Sequence, residues 1–213
     1  MVELRKRKAP AQAPAAERKA KKVQESTVSR KPDVPKAISD DKAPKVGDKL
    51  DLDNFGGDIE TDEGQKTTLK DLVDASEAGV VLFTYPRAST PGCTKQACLF
   101  RDNYDSITES GLSVYGLSAD SPKANTTFKT KQRLQYPLLC NPTATLIAAL
   151  GLKKSPKGTI RGIFAIDKEG KILILQAGGP DATLDAARNL AAGLKKPSSG
   201  DETRHASPPA KDD

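Results

Sequence analysis

The chain has no tryptophan, one methionine, one histidine and three cysteines among its 213 residues. Each scarcity excludes something. The lone histidine, His205, stands in a polar C-terminal stretch, and neither CxxC nor HExxH occurs. A structural zinc site wants about four close ligands, so no metal is expected. A Gly-rich phosphate loop is also missing: Gly56-Gly57 and Gly178-Gly179 are isolated pairs that read as turns. The N-terminus lacks the apolar core of a secretory signal, and no apolar run approaches the roughly 20 residues of a membrane span. The expectation is an intracellular protein without membrane association, its thiols reduced at rest.

Aromatics are few and unevenly placed. All nine lie between Phe55 and Phe164. With 36% hydrophobic and 29% charged residues, this describes a folded middle between two solvated ends. Residues 1–44 carry twelve Lys/Arg against six Asp/Glu, whereas residues 45–213 carry twenty-two of each. The basic excess therefore belongs to an N-terminal tail on a neutral domain. The expected organisation is a disordered basic tail over 1–44, a folded domain over 45–196 and a disordered polar tail over 197–213. Two clusters in the first tail, RKRK at 5–8 and RKAKK at 18–22, form two cationic patches on a flexible tether. They read as a bipartite nuclear-import signal, with an import receptor as partner of residues 5–22 and the nucleus, besides the cytoplasm, as location. The alternatives are a non-specific basic arm in weak contact with nucleic acid, and a mitochondrial presequence, which the prolines at 10 and 14 oppose.

Within the middle, VGDKLDLDNF and TTLKDL read as short strands around a polar loop. GVVLFTY, 79–85, is a continuous apolar run suited to a buried central strand, and LSVYGLSA, 112–119, reads as a second. Helices are expected from Pro91 to about Tyr104, from Ser121-Pro122 to about Leu134, and from Thr143 to Leu150. YPLLC reads as a short strand, IRGIFAID and KILILQA as a hairpin, and Asp181 as the cap of a last helix with Leu184, Ala187, Leu190 and Leu194 on one face. Strands alternating with helices and closing on a hairpin and a helix predict an α/β domain with a mixed sheet.

The chemistry concentrates in YPRASTPGCTKQAC, 85–98. Cys93 follows a buried strand, a loop and Pro91-Gly92, which places it in the first turn of a helix, with Ser89 or Thr90 as the natural cap. Free N–H groups and the helix dipole favour a thiolate there, and such sites lower a cysteine pKa by several units. The plain alternative is a small buried hydrophobe. Cys98 lies five residues on. On a regular helix that spacing separates the Cα atoms by roughly 8.5 Å, beyond the roughly 7 Å that a disulfide spans. Either the two never pair or the first turns must unwind. A thiol that reacts alone and is met by a partner after local unfolding fits peroxide chemistry: a thiolate cleaves the O–O bond, becomes a sulfenic acid, and a second thiol condenses with it. The site then needs donors and positive charge around both oxygens. Thr90 offers a hydroxyl. The cation is either Arg87, near in sequence, or Arg161, which opens an apolar strand and has an ion pair at a strand end as its ordinary explanation.

Pro86-x-x-x-Thr90-x-x-Cys93 matches the peroxiredoxin pattern PxxxTxxC. With Cys98 five residues on, FRD at 100–102, the YPLLC-N-P segment and RGIFAIDKEGKI, the stretch from about 45 to 195 resembles the bacterioferritin-comigratory-protein, or PrxQ, branch. The basic extension makes the chain similar to fungal nuclear thiol peroxidases. The resemblance implies a thioredoxin-like fold and reduction of hydrogen peroxide and organic hydroperoxides by a monomer without metal, haem or flavin. It implies Cys93 as peroxidatic and Cys98 as resolving cysteine, Thr90 hydrogen-bonded to thiolate and peroxide, Arg161 as the active-site arginine, Pro86 as a shield against water, and thioredoxin as electron donor. The chain departs from the branch at Cys140-Asn141, where a small residue and an aspartate are common; Cys140 reads as a packed core residue, with a second resolving cysteine as the alternative. Asn125-Thr126-Thr127 fits a glycosylation sequon that an intracellular chain does not use. Competing functions are a chromatin-associated redox sensor built on the same Cys93–Cys98 switch and a thiol-disulfide oxidoreductase, which the lack of CxxC opposes. A pure nucleic-acid-binding protein fits worst, because the folded part is neutral.

Overall fold

The computed structural model describes residues 43–195. The basic clusters at 5–22, nearly all of the segment 1–44, His205 and the polar stretch 197–213 lie outside the described residues.

The run GVVLFT becomes β3 (Gly79–Thr84), buried at every position. It sits near the middle of a seven-stranded mixed sheet with the order β2-β1-β5-β4-β3-β6-β7. The other strands are β1 (Ile59–Thr61), β2 (Lys66–Thr67), β4 (Leu112–Ser118), β5 (Leu138–Cys140), β6 (Gly162–Asp167) and β7 (Ile172–Ala177). β3 pairs in parallel with β4 and antiparallel with β6, and β6 turns back on β7 as the expected hairpin. Because side chains alternate along a strand, β3 feeds two cores. Val81 and Phe83 point to one that includes Phe100, Phe128 and Leu184; Val80 and Leu82 point to another that includes Leu69, Val73, Leu146 and Phe164. A strand apolar on both faces must be covered twice. Helices α2 (Pro91–Asp102), α4 (Pro122–Gln132) and α6 (Pro180–Leu194) supply one cover, and α1 (Leu69–Ala75) and α5 (Thr145–Ala149) the other. Gly116 of β4 allows the close approach at the centre: a Cβ there would lie 2.7 Å from Leu138 and 2.8 Å from the Phe83 ring.

The structure corrects the N-terminal expectations. Of TTLKDL, only Thr67 is strand, ending β2; Thr68 caps α1, and the helix takes the rest. Thr68 accepts from the Asp71 N–H while the Asp71 carboxylate accepts from the Thr68 N–H, so two otherwise free donors at the helix start are satisfied and the helix wins. VGDKLDLDNF forms only one isolated bridge, Lys49 to Lys171, and the short strands β1 and β2 arise from the segment read as a polar loop. The helix after Cys93 stops at Asp102, where the Asn103 amide donates to the Leu99 carbonyl at 2.9 Å, and a separate short helix α3 (Tyr104–Thr108) follows. Gly179, not Asp181, is the N-cap of α6; Asp181 sits in its first turn and pairs with Lys95.

Candidate active site

The site forms where β3 ends and α2 begins. Tyr85 is fully buried at the strand end, Pro86 and Arg87 are exposed, and Ser89 turns the chain with a left-handed φ of 60°. Thr90 is the N-cap with extended backbone, and Pro91 takes the first helical position, where no N–H is needed. Thr94 N–H bonds the Thr90 carbonyl at 2.8 Å, so the first turn is closed around Cys93, which is only 1% exposed.

Sheet register brings the cation. Gly162 of β6 pairs with Thr84 of β3, so Arg161, one residue earlier, lies beyond the strand end beside the loop to Cys93. Its backbone is held by Gly178 N–H on its carbonyl at 3.0 Å, and its neighbour Ile160 accepts from the Thr84 hydroxyl at 2.8 Å. The half-buried guanidinium forks. Nη2 donates to Cys93 Sγ at 3.3 Å and Nη1 donates to Gln96 Oε1 at 2.6 Å. Of the two candidate arginines, Arg161 is the one whose guanidinium reaches Cys93, while Arg87 is exposed. Gly92 makes room for the fork, since a Cβ there would stand 3.1 Å from Arg161 Nη2.

The remaining expected residues are placed less uniformly. The Thr90 hydroxyl donates to the Arg87 carbonyl at 3.0 Å and makes no cap bond, so its proton is directed away from the sulfur. Pro86 is exposed at the loop edge. Cys98 is half-buried on the same unbroken helix as Cys93, its thiol directed at Gln132 Oε1 at 3.7 Å, and the three cysteines are all free. Cys140 is fully buried at the end of β5 and accepts from Asn125 Nδ2 at 3.2 Å. Burial pushes its thiol up to about 11, against the smaller opposite effect of the Asn125 bond. Asn125 is itself buried, bonding Ser118 and accepting from the Tyr85 hydroxyl at 2.9 Å, which removes it from any glycosylation chemistry. Burial likewise raises the Tyr85 phenol well above its ordinary value.

Sequence reasoning missed Gln96 and Thr183. Gln96 is fully buried, three residues after Cys93 on the same face of α2, and its Nε2 donates to Thr183 Oγ1 of α6 at 3.0 Å. The signal was available in part: a polar residue one turn beyond a candidate nucleophile, on the buried side of a helix. A groove lined by Arg87, Ser89, Asp120, Lys123 and Thr127 opens beside the loop.

The buried thiol, the arginine fork and the second cysteine on one helix agree with what the chain is similar to. The AhpC/TSA family model matches residues 40–174. Peroxiredoxin bcp1 of Schizosaccharomyces pombe is 42% identical over 125 residues, which is 56% of this chain and 63% of that protein. The crystal structure of peroxidoxin BcpB from Mycobacterium tuberculosis superposes with a TM-score of 0.65 at 31% identity, covering 71% of this chain and 99% of that one. A Xanthomonas campestris bacterioferritin comigratory protein, studied for alkyl peroxide reduction, gives a TM-score of 0.58 at 26% identity over 70% of this chain and 98% of that one. The expected thioredoxin-like fold is thereby shown, and the chain belongs to the AhpC/TSA family as a thiol peroxidase of the peroxiredoxin type, in its bacterioferritin-comigratory-protein or PrxQ branch.

Proposed function

We propose that this peroxiredoxin works by a two-cysteine cycle within one chain, with Cys93 as the attacking thiolate and Cys98 as the resolving thiol. The carrying observation is the guanidinium N–H of Arg161 at 3.3 Å from the sulfur of a buried cysteine in a helical first turn. Cys93 sulfur attacks one peroxide oxygen; an S–O bond forms, the O–O bond breaks, and water or an alcohol leaves after protonation. The fork of Arg161 stabilises the charge that moves from sulfur to oxygen, since charge-assisted donors act most strongly where water is excluded. The Cys98 thiolate then attacks the sulfenic sulfur: S–S forms, S–O breaks and water leaves. A dithiol of the thioredoxin type returns the two electrons by exchange.

The intact α2 supports an order of events. With both cysteines on one regular helix, their Cα atoms stand roughly 8.5 Å apart, so resolution follows unwinding and does not compete with the first attack. Alkyl hydroperoxides are proposed as substrates beside hydrogen peroxide, supported by the activity named for the Xanthomonas protein. The two basic clusters at 5–22 support delivery to the nucleus through an import receptor. Thioredoxin-coupled turnover of Cys98→Ser tests the cycle. The expected result is one peroxide consumed per chain and no steady state; cycling at the unsubstituted rate would overturn the assignment of Cys98.

A further inference from the structure

α2 is held at its two ends by different means. Its C-terminal half is pinned by aromatic packing, with Phe100 stacked on Phe83 at 4.4 Å, and in mid-helix the Tyr136 hydroxyl donates to the Ala97 carbonyl at 2.7 Å. Between Cys93 and Cys98, Ala97 packs in the apolar core, and Gln96 adds a polar tie to α6. Gln96 gives its Nε2–H to Thr183 Oγ1 and takes Arg161 Nη1–H on its oxygen, all three groups being buried or half-buried. The Thr183 hydroxyl in turn donates to the Pro180 carbonyl at 2.8 Å, which fixes its lone pair toward Gln96. The Lys95–Asp181 pair runs between the same two helices, but both side chains are largely exposed and such a pair holds little.

Residue 96 lies inside the segment whose backbone must change before sulfur reaches sulfur. We infer that Thr183 is a positioning residue that latches α2 in its wound form through Gln96, and so sets how long the oxidised Cys93 stays exposed to a second peroxide before Cys98 arrives. This rests on the two-cysteine cycle proposed above. Unwinding carries Gln96 to water, where its amide is satisfied; the wound form alone benefits from Thr183. Replacing the hydroxyl by a methyl leaves a buried Gln96 N–H unpaired in the wound form only, and an unmet buried donor costs more than a made bond gains. The wound form is then weakened relative to the unwound one, while Cys93 and Arg161 keep their contacts. A sulfenic acid that waits in the wound form is open to overoxidation to the sulfinic acid, which thiols do not reverse.

The test is stopped-flow reaction of the full reduced chain with hydrogen peroxide, comparing the unsubstituted protein, Thr183→Val and Thr183→Ser. Thr183→Val is expected to leave the rate of the first, Cys93-oxidising phase within two-fold. It should speed the disulfide-forming phase about five-fold, or about 1 kcal/mol at 1.4 kcal/mol per decade, and raise the peroxide concentration that gives half sulfinic acid by the same factor. Thr183→Ser keeps the hydroxyl and is expected to match the unsubstituted protein. A Val variant that slows the first phase while leaving the second unchanged, or that changes neither, overturns the latch. Amide hydrogen exchange of residues 93–98 in the reduced Val variant adds a readout independent of turnover: faster exchange there with unchanged exchange in β3 supports the latch, and uniform acceleration across the domain overturns it. If the unsubstituted protein forms no Cys93–Cys98 bridge at all, the cycle itself fails and the latch with it, an outcome that mass analysis of the unsubstituted protein alone reveals.

Discussion

Arg161→Met is the most informative substitution at the chemical step. The side chain has similar length and apolar stem but no donors. Two bonds disappear: Nη2 to Cys93 Sγ at 3.3 Å and Nη1 to Gln96 Oε1 at 2.6 Å. The first loss removes a charged donor aimed at the atom whose charge changes during attack. Deleting one such preorganised donor lowers a rate by about 10²–10³-fold, or about 3–4 kcal/mol. The second loss leaves a buried amide oxygen without its partner and costs about 1–3 kcal/mol of folding stability. The two effects separate by assay: the second-order rate of Cys93 oxidation reads the first, and urea unfolding of the reduced protein reads the second. Arg161→Lys restores charge but cannot serve Cys93 and Gln96 with one rigid fork, so it is expected to fall between Met and the unsubstituted protein in rate. A Met variant that retains a third or more of the oxidation rate, at full occupancy of the folded state, would refute the role given to the guanidinium.

Other expectations follow from the same geometry. Gly92→Ala places a methyl 3.1 Å from Arg161 Nη2, so the oxidation rate is expected to drop several-fold with little change in unfolding midpoint; an unchanged rate would mean the fork has slack. Phe100→Ala removes the stacked partner of Phe83 and should cost about 3–5 kcal/mol in denaturant unfolding, with a loss under 1 kcal/mol contradicting the view that this end of α2 is an apolar anchor. For Cys140, the folded thiol is raised to about 11 from an ordinary 9.0. The unfolded chain therefore loses this proton first as pH rises, and the contribution to stability is full below pH 9 and lost between 9 and 11. Cys140→Ala is expected to flatten the fall in stability across that window and to leave peroxide turnover at pH 7 intact; an equally steep fall would show that other groups govern it.

Much of the site is legible in the sequence because it is local. Strand GVVLFT, the Pro91 start of α2 and the positions of Cys93 and Cys98 depend on neighbours in sequence, and they form as their patterns dictate. The hairpin of β6 and β7 is legible for the same reason. Sequence patterns mislead where two local signals compete or where meaning is tertiary. TTLKDL carries β-branched residues, but the Thr68–Asp71 box outweighs them. Thr90 could cap, bind sulfur or bond its own loop, and composition does not rank these; the hydroxyl bonds Arg87. Gln96 and Thr183 are separated by 87 residues and meet only because α6 folds back over α2. In sequence Arg161 is one of two candidate cations, and only the pairing of Gly162 with Thr84 brings it to the end of β3.

The central claim is that Cys93 reacts first and that Cys98, not Cys140, resolves it. The direct measurement is to oxidise the reduced protein with one equivalent of hydrogen peroxide, block the remaining thiols with an alkylating agent under denaturing conditions, and map the peptides by mass. The account predicts a Cys93–Cys98 bridge, with Cys140 recovered as an alkylated thiol. A bridge containing Cys140, or peptides in which Cys93 remains a free thiol while another cysteine is oxidised, would contradict it.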